Sequence, residues 1–374
     1  MLKFKIKPYD VLFFGSGKPF NLGDIARSIF PPFPHTFAGA ICSKIYWECK
    51  IDITKILKAV YGPFLYNEKD KKIYFPKPAD IYTGRKGKGD EIYLLKFPNE
   101  NYKLFNPNNT NKPNPIEKFA IYFGDEEVEG FDGFISQDGL KEWLNGKIPD
   151  KNEIIKFKDI FEYENRVGIK QEMSYHTVVE EDGLYRIDFL RLKDGKYKME
   201  NRYKEYDWYF VVWVEFDFDN NELKKANLDE NKIYNFFDKE PRSLKLGGEM
   251  RSAYYEVEES DIKNLFGEKL EVKEKDTIKI LFLTPSTFSN SLGNDILPSI
   301  NGIKIKSLVS NGFINLAIDS KQLGLNKFVK KALKAGSVIY AEVDNNFSHK
   351  SFWVEFLERD KNFIGTNLAI YGKV

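Results

Sequence analysis

Residues 11–40 limit what this chain can fold into more than any other stretch. Val11-Leu12-Phe13-Phe14 reads as a buried strand running into the glycine loop Gly15-Ser16-Gly17-Lys18. An extended run with three prolines, Pro31, Pro32 and Pro34, then delivers the chain to a helix start at His35-Thr36. Strand, glycine turn, rigid entry and helix in that order demand a mixed α and β architecture. The same order exposes backbone N–H groups at a loop and at a helix start, and such groups bind anions, phosphate above all. The loop is not a nucleotide-binding P-loop. Its first glycine would have to stand at Leu12, and Pro19 occupies the place of the required Ser or Thr.

The flanking sequence extends this pattern. Leu2, Phe4 and Ile6 alternate with Lys3, Lys5 and Lys7, which predicts a half-buried strand at the N-terminus and not a signal peptide. Ala38, Ile41, Cys42, Ile45 and Cys49 make one apolar helical stripe, for which Thr36 is the expected N-cap. A short helix is expected over residues 54–60, followed by a hairpin of residues 64–66 with 73–75. Residues 83–118, rich in Gly, Lys, Asn and Pro, read as a long loop or insertion. Residues 164–191 read as a projecting β-hairpin with a polar tip. Residues 208–218 and 277–283 read as central strands apolar on both faces. Residues 325–334 are expected to form a late helix, with Leu325, Phe328, Val329, Ala332 and Leu333 on one face and lysines on the other. These parts suit two α+β units of 1–205 and 206–374, a division 374 residues can support.

Composition narrows the function classes. The net charge is +1 from 57 basic and 56 acidic residues, so any nucleic-acid site must be a local concentration of charge. The arginines are concentrated: six of nine lie between Arg166 and Arg251. Cys42 and Cys49 lie two turns apart on one helical face, which suits packing and not a bridge or metal knuckle. With three histidines in unrelated contexts, no metal site and no catalytic pair is expected. No apolar run reaches membrane-spanning length, so a cytoplasmic protein is expected.

The candidate binding residues follow from this chemistry. Gly15 and Gly17 let a backbone approach a phosphate while Lys18 supplies charge. His35 and Thr36 sit at the helix start, where the alternative is a plain cap. Gly247, Gly248 and Arg251 form a second glycine-rich approach, for which a simple bulge is the alternative.

The order of short motifs along nearly the whole chain resembles one family. Besides residues 11–40 these are Gly62-Pro63-Phe64-Leu65, Phe75-Pro76-Lys77-Pro78-Ala79-Asp80, Arg166-Val167-Gly168-Ile169 and Gly183-Leu184-Tyr185-Arg186. Leu190-Arg191, Leu246-Gly247-Gly248-Glu249-Met250-Arg251, Thr284-Pro285-Ser286 and Lys334-Ala335-Gly336-Ser337-Val338 follow. The chain resembles the third-subunit family of the Cmr complex, the type III-B CRISPR RNA-guided effector, within the RAMP superfamily. The resemblance implies two ferredoxin-like (RRM-like) domains and a hairpin that wedges into guide RNA. Here Arg166, Lys170 and Arg186 would flank that hairpin, with Tyr175 and His176 able to stack on bases. It also implies a non-catalytic subunit without cofactor or metal that holds the 5′ handle of the guide RNA. That subunit would join the large polymerase-like subunit to the repeated backbone subunit in antiviral defence. A metal-independent guide-processing endonuclease and a protein-only scaffold remain the alternatives.

Overall fold

Alternating Leu2, Phe4 and Ile6 do bury one face of the strand Leu2–Pro8, and their neighbours put three lysines on the other. Those lysines meet acids on adjacent strands: Lys3 pairs with Glu258 at 2.7 Å, Lys5 with Glu256 at 2.6 Å, and Lys7 with Asp207. The computed structural model describes all residues except 17–24, 54, 86–90, 98–119, 170–183, 200–201, 268–270, 288–301, 321–324, 346–353, 358 and 360–362. It divides into two units that interleave in sequence, so a single cut near residue 205 does not separate them. The first unit comprises Met1–Lys71, Lys158–Ser260 and Asn315–Lys330; the second comprises Lys72–Phe157, Asp261–Ile314 and Lys331–Val374.

In the first unit, the strand Trp208–Phe216 pairs antiparallel with Leu2–Pro8 on one side and with Leu57–Asn67 on the other. Leu2–Pro8 pairs antiparallel with Ser252–Glu259, whose far edge takes Ser243–Lys245. The helix Pro34–Cys49 connects the first strand of this sheet to Leu57–Asn67, and the helix Glu230–Asp238 connects Trp208–Phe216 to its last strands. Numbered along the chain, the four principal strands lie in the order 4-1-3-2 with βαββαβ connections, the split βαβ arrangement. Trp208–Phe216 is central because it is apolar on both faces. A separate three-stranded sheet pairs Phe161–Ile169 antiparallel with Leu184–Leu192, which runs parallel to Ile25–Arg27. The arms of the expected hairpin are therefore present, and its tip lies outside the described residues.

The second unit carries a five-stranded antiparallel sheet in the order Ile303–Val309, Val338–Val343, Thr277–Phe282, Leu368–Lys373, Val354–Phe356. Lys72–Pro76, Gly133–Ser136 and Ile154–Lys156 form another antiparallel set, beside the helix Gln137–Leu144. The core holds a polar network. Buried Asp80 accepts from Trp143 Nε1 at 3.0 Å and from Tyr340 Oη at 2.7 Å, and Lys279 Nζ stands 3.9 Å above the Trp143 ring. Burial pushes the Asp80 carboxyl up and brings the Lys279 and Lys77 ammonium groups down to about 8. Lys77 is kept by donating to the carbonyls of Pro78 at 2.9 Å and Ile81 at 2.6 Å. Gly336, at φ +88°, is required here because a Cβ would come within 2.5 Å of the Lys77 carbonyl.

Three local expectations are corrected. Residues 325–334 are not helical: Leu325–Leu333 is a strand that pairs with Phe313–Ser320. Residues 57–60 belong to the eleven-residue strand Leu57–Asn67 rather than to a helix. Within residues 83–118, Ile92–Leu94 is a strand that pairs with Ile81–Gly84. Among the described residues, no helix is long and apolar enough to cross a membrane.

Candidate nucleic-acid interface

The glycine loop is held at its root by backbone pairing. Leu12 N–H donates to the Leu190 carbonyl at 2.8 Å and Leu190 N–H returns the bond at 2.7 Å. Phe14 N–H then donates to the buried Ser28 Oγ at 2.8 Å, and Ile29 N–H to the Phe14 carbonyl at 2.8 Å. Residues 246–251 come against this loop from the turn between Ser243–Lys245 and Ser252–Glu259. Gly248 N–H donates to the Phe13 carbonyl at 2.8 Å, and Gly247 lies at φ +76°. A Cβ on Gly247 would sit 2.4 Å from the Phe13 carbonyl oxygen, so only glycine permits the approach.

The helix Pro34–Cys49 supplies the third wall. Its buried stripe, Phe37, Ala38, Ile41, Cys42 and Ile45, faces the core. Thr36, Gly39, Ala40 and Ser43 face a cavity of about 320 Å³ that Gly15, Lys245, Gly247 and Gly248 close from the other sides. That volume is at the small end of ligand sites. Thr36 lines the cavity but does not cap the helix. Pro34 occupies the first helical position, Phe33 is the N-cap residue, and no side chain caps it.

Beside the cavity lies a cluster of charge. On the paired strands Phe161–Ile169 and Leu184–Leu192, Glu164 opposes Phe189 and Glu162 opposes Arg191, so Glu164, Arg166 and Arg191 share one face. Glu164 takes Arg166 Nε at 2.7 Å and Arg191 Nε at 3.0 Å. Asp10 bridges the two guanidinium groups from above, at 3.1 Å from Arg166 and 3.3 Å from Arg191. Arg251 stands 3.8 Å from Asp10. The Phe189 ring lies between Arg251 and Arg166, whose Cζ atoms are 4.6 and 5.2 Å from its centroid. Phe189 also packs edge-on against Phe13 of the glycine loop, with centroids 5.9 Å apart.

The electrostatics follow from these contacts. Arg191 and then Arg166 hold the Glu164 carboxyl below its ordinary range, and Glu164 in turn raises both guanidinium groups. Three cations thus face Glu164, Asp10 and, across from Arg191, Glu162, and all three arginines keep exposed edges. Arg251 Nε is buried and has no hydrogen-bond partner among the described residues. Guanidinium groups held in fixed orientation suit bidentate contact with phosphate oxygens.

The structure thus brings together Gly15, Thr36, Gly247 and Gly248 around the cavity, with Arg166 and Arg251 in the adjoining cluster. Two expected residues are placed elsewhere. His35 turns inward and stacks on Phe33 at 5.3 Å, and burial lowers its pKa to about 4. It is therefore neutral at physiological pH and contributes no cation. Arg186, opposite Val167, lies on the other face of the paired strands and is exposed. Gly17, Lys18, Lys170, Tyr175 and His176 lie outside the described residues. Asp10, Glu164, Arg191, Gly39, Ser43 and Lys245 enter the site without having been expected in it. The period-two spacing of Glu162, Glu164 and Arg166 was the available signal for the charged face. Among the described residues no group of three His, Cys, Asp or Glu side chains is placed to hold a metal ion.

A model of the family described as CRISPR-associated protein (Cas_Cmr3) matches residues 4–374. No curated protein matches the sequence. Among solved structures, a chain of the type III-B Cmr-beta complex bound to cognate target RNA and AMPPnP, in state 1, aligns with a TM-score of 0.51 at 17% identity. The alignment covers 90% of this chain and 86% of that one. A chain of type III-B Cmr-beta bound to cognate target RNA aligns over the same shares with a TM-score of 0.50 at 17% identity. At that identity, the likeness to the two structures speaks for a shared fold.

Proposed function

Because the chain belongs to the Cas_Cmr3 family and so is a subunit of the type III-B CRISPR effector, we propose that it grips the 5′ handle of the guide RNA without catalysing a reaction. In the same reading it joins the large polymerase-like subunit to the repeated backbone subunit, and cutting and signalling belong to those partners. The meeting of the glycine loop and the glycine turn at one cavity, with three arginines clustered beside it, carries the reading. Backbone groups at close approach and guanidinium forks hold phosphates, while a cavity of this size beside them takes an unstacked base.

The test is titration of the full-length chain with a labelled guide bearing its handle, at several salt concentrations. Replacing Arg166, Arg191 and Arg251 together by alanine should weaken binding at least about tenfold. It should also reduce the slope of log K against log salt by about 2–3, one for each lost phosphate contact. Unchanged affinity and slope would contradict the assignment. Cleavage of precursor RNA by the purified chain, abolished by changes at this site, would contradict the non-catalytic part.

A further inference from the structure

The three-stranded sheet of Phe161–Ile169, Leu184–Leu192 and Ile25–Arg27 distributes its side chains against the usual rule of apolar in and polar out. Residues opposite one another in the register share a face, so Val167 and Ile169 lie on one side with Leu184, Arg186 and Ile25. The aliphatic members of that side face solvent: Val167 and Leu184 are each 57% exposed, Ile25 50% and Ile169 46%. On the other side Glu164 and Arg166 are half-buried beside the buried Ile187 and Phe189. Charge is thus turned in and aliphatic surface turned out on the same pair of strands.

Apolar residues exposed singly are ordinary, whereas adjoining ones mark a surface that something covers. Here they adjoin around one cation. Arg186 stands between Val167 and Ile25 on the neighbouring strands and two residues from Leu184. It is exposed and has no carboxylate partner among the described residues. The other described charges of this face on the three strands are Arg27 and Asp188, which pair with each other at 3.2 Å. The charge pattern selects the occupant. RNA brings a phosphate with every nucleotide and stacks on aromatic rings, but this face offers one unpaired cation set among aliphatic side chains. A second copy docked about a twofold axis would bring Arg186 towards its own mate, and like charges brought together oppose association. A different protein surface, aliphatic and carrying a carboxylate, complements both the patch and its cation.

We propose that this face is the dock for a neighbouring protein subunit of the effector, which lays aliphatic side chains over Ile25, Val167, Ile169 and Leu184 and sets a carboxylate against Arg186. This rests on the reading that the chain joins other subunits, names the surface it uses, and is independent of guide binding. Val167→Thr, Ile169→Thr and Leu184→Thr together remove the aliphatic surface while threonine keeps the strand preference, so the unfolding midpoint should not fall. In the test, full-length wild type and this triple variant compete in equal amounts for limiting large and backbone subunits loaded with guide. Mass spectrometry of the purified complex should find the wild type in at least about tenfold excess. Arg186→Glu should be depleted in the same competition, and the isolated triple variant should bind handle RNA as the wild type does. Equal retention of the triple variant would refute the dock and leave the joining reading standing. Handle affinity lost in step with retention would give the face to RNA. A wild-type dimer in light scattering that the triple variant abolishes would give it to a second copy, and either result overturns the proposal. If the wild type itself is not retained by the other subunits, the joining reading fails with it.

Discussion

Gly39→Ala separates the fold of the long helix from the use of its exposed face. Gly39 lies inside the helix Pro34–Cys49, and a Cβ built there meets no atom within 4 Å. The substitution therefore adds no clash and buries no new surface. What remains is intrinsic propensity, by which alanine inside a helix is favoured over glycine by about 1 kcal/mol. For a unit of this size the gain should appear as a rise of about 2–4 °C in Tm, or as a higher midpoint in guanidinium at unchanged m. The new methyl group projects into the cavity that Thr36, Gly39 and Ser43 line. A ligand packed there must shift, and overpacking of a fitted site costs about 1–3 kcal/mol, a loss of fivefold or more in affinity. The variant should thus be more stable and a poorer RNA binder. Lower stability would refute the helix assignment at this position. Higher stability with wild-type RNA affinity would show that RNA does not occupy the cavity.

Other perturbations test separate parts of the account. Glu164→Gln removes a negative charge, which alone would strengthen RNA binding, yet it also frees the forks of Arg166 and Arg191. We expect affinity to fall about threefold or more, and a rise in a filter-binding titration would mean that Glu164 only neutralises charge. His35 should make stability acid-sensitive. Its folded pKa of about 4 lies below the unfolded value, so between about pH 6.5 and 4 the unfolded chain binds the extra proton and stability falls with pH, by at most about 3 kcal/mol. The pH profile of His35→Gln should be flatter over that window, and an identical profile would refute the buried neutral imidazole. Asp80→Ala should cost about 3–5 kcal/mol in equilibrium unfolding, because it leaves Trp143 Nε1 and Tyr340 Oη buried without their acceptor and Lys279 buried without its neighbouring anion. A cost below about 1 kcal/mol would show that this polar core relaxes or is hydrated.

Local patterns were legible where one periodicity and one burial face agreed. Leu2–Pro8, the stripe Ala38–Ile41–Cys42–Ile45 and the two-sided strands Trp208–Phe216 and Thr277–Phe282 all satisfy that condition. Residues 325–334 failed it: the spacing of Leu325, Phe328, Val329 and Ala332 matches a helix, but pairing with Phe313–Ser320 satisfies the backbone instead. Tertiary pairing overrides weak local propensity in a segment this short. Residues 57–60 show no readable alternation because their strand continues through Gly62, where the register with Trp208–Phe216 shifts. Thr36 lost the cap to a proline already placed at the first helical position. The site was legible as fragments only. The glycine loop, the helix face and the glycine turn each carried a readable signal. Their meeting depends on the Gly248–Phe13 bond and on Asp10 reaching arginines at 166, 191 and 251, contacts that no local pattern encodes.

The central claim is that guide RNA is held where the glycine loop, the long helix and the turn at residues 246–251 meet. Photo-crosslinking of guide RNA within the purified complex, with mass spectrometry of the linked peptides, tests it most directly. The account predicts crosslinks from the 5′ handle to peptides containing Phe13–Gly15 or residues 245–251. Handle crosslinks confined to other subunits, from an intact and loaded complex, would contradict it and leave this chain a protein-only scaffold.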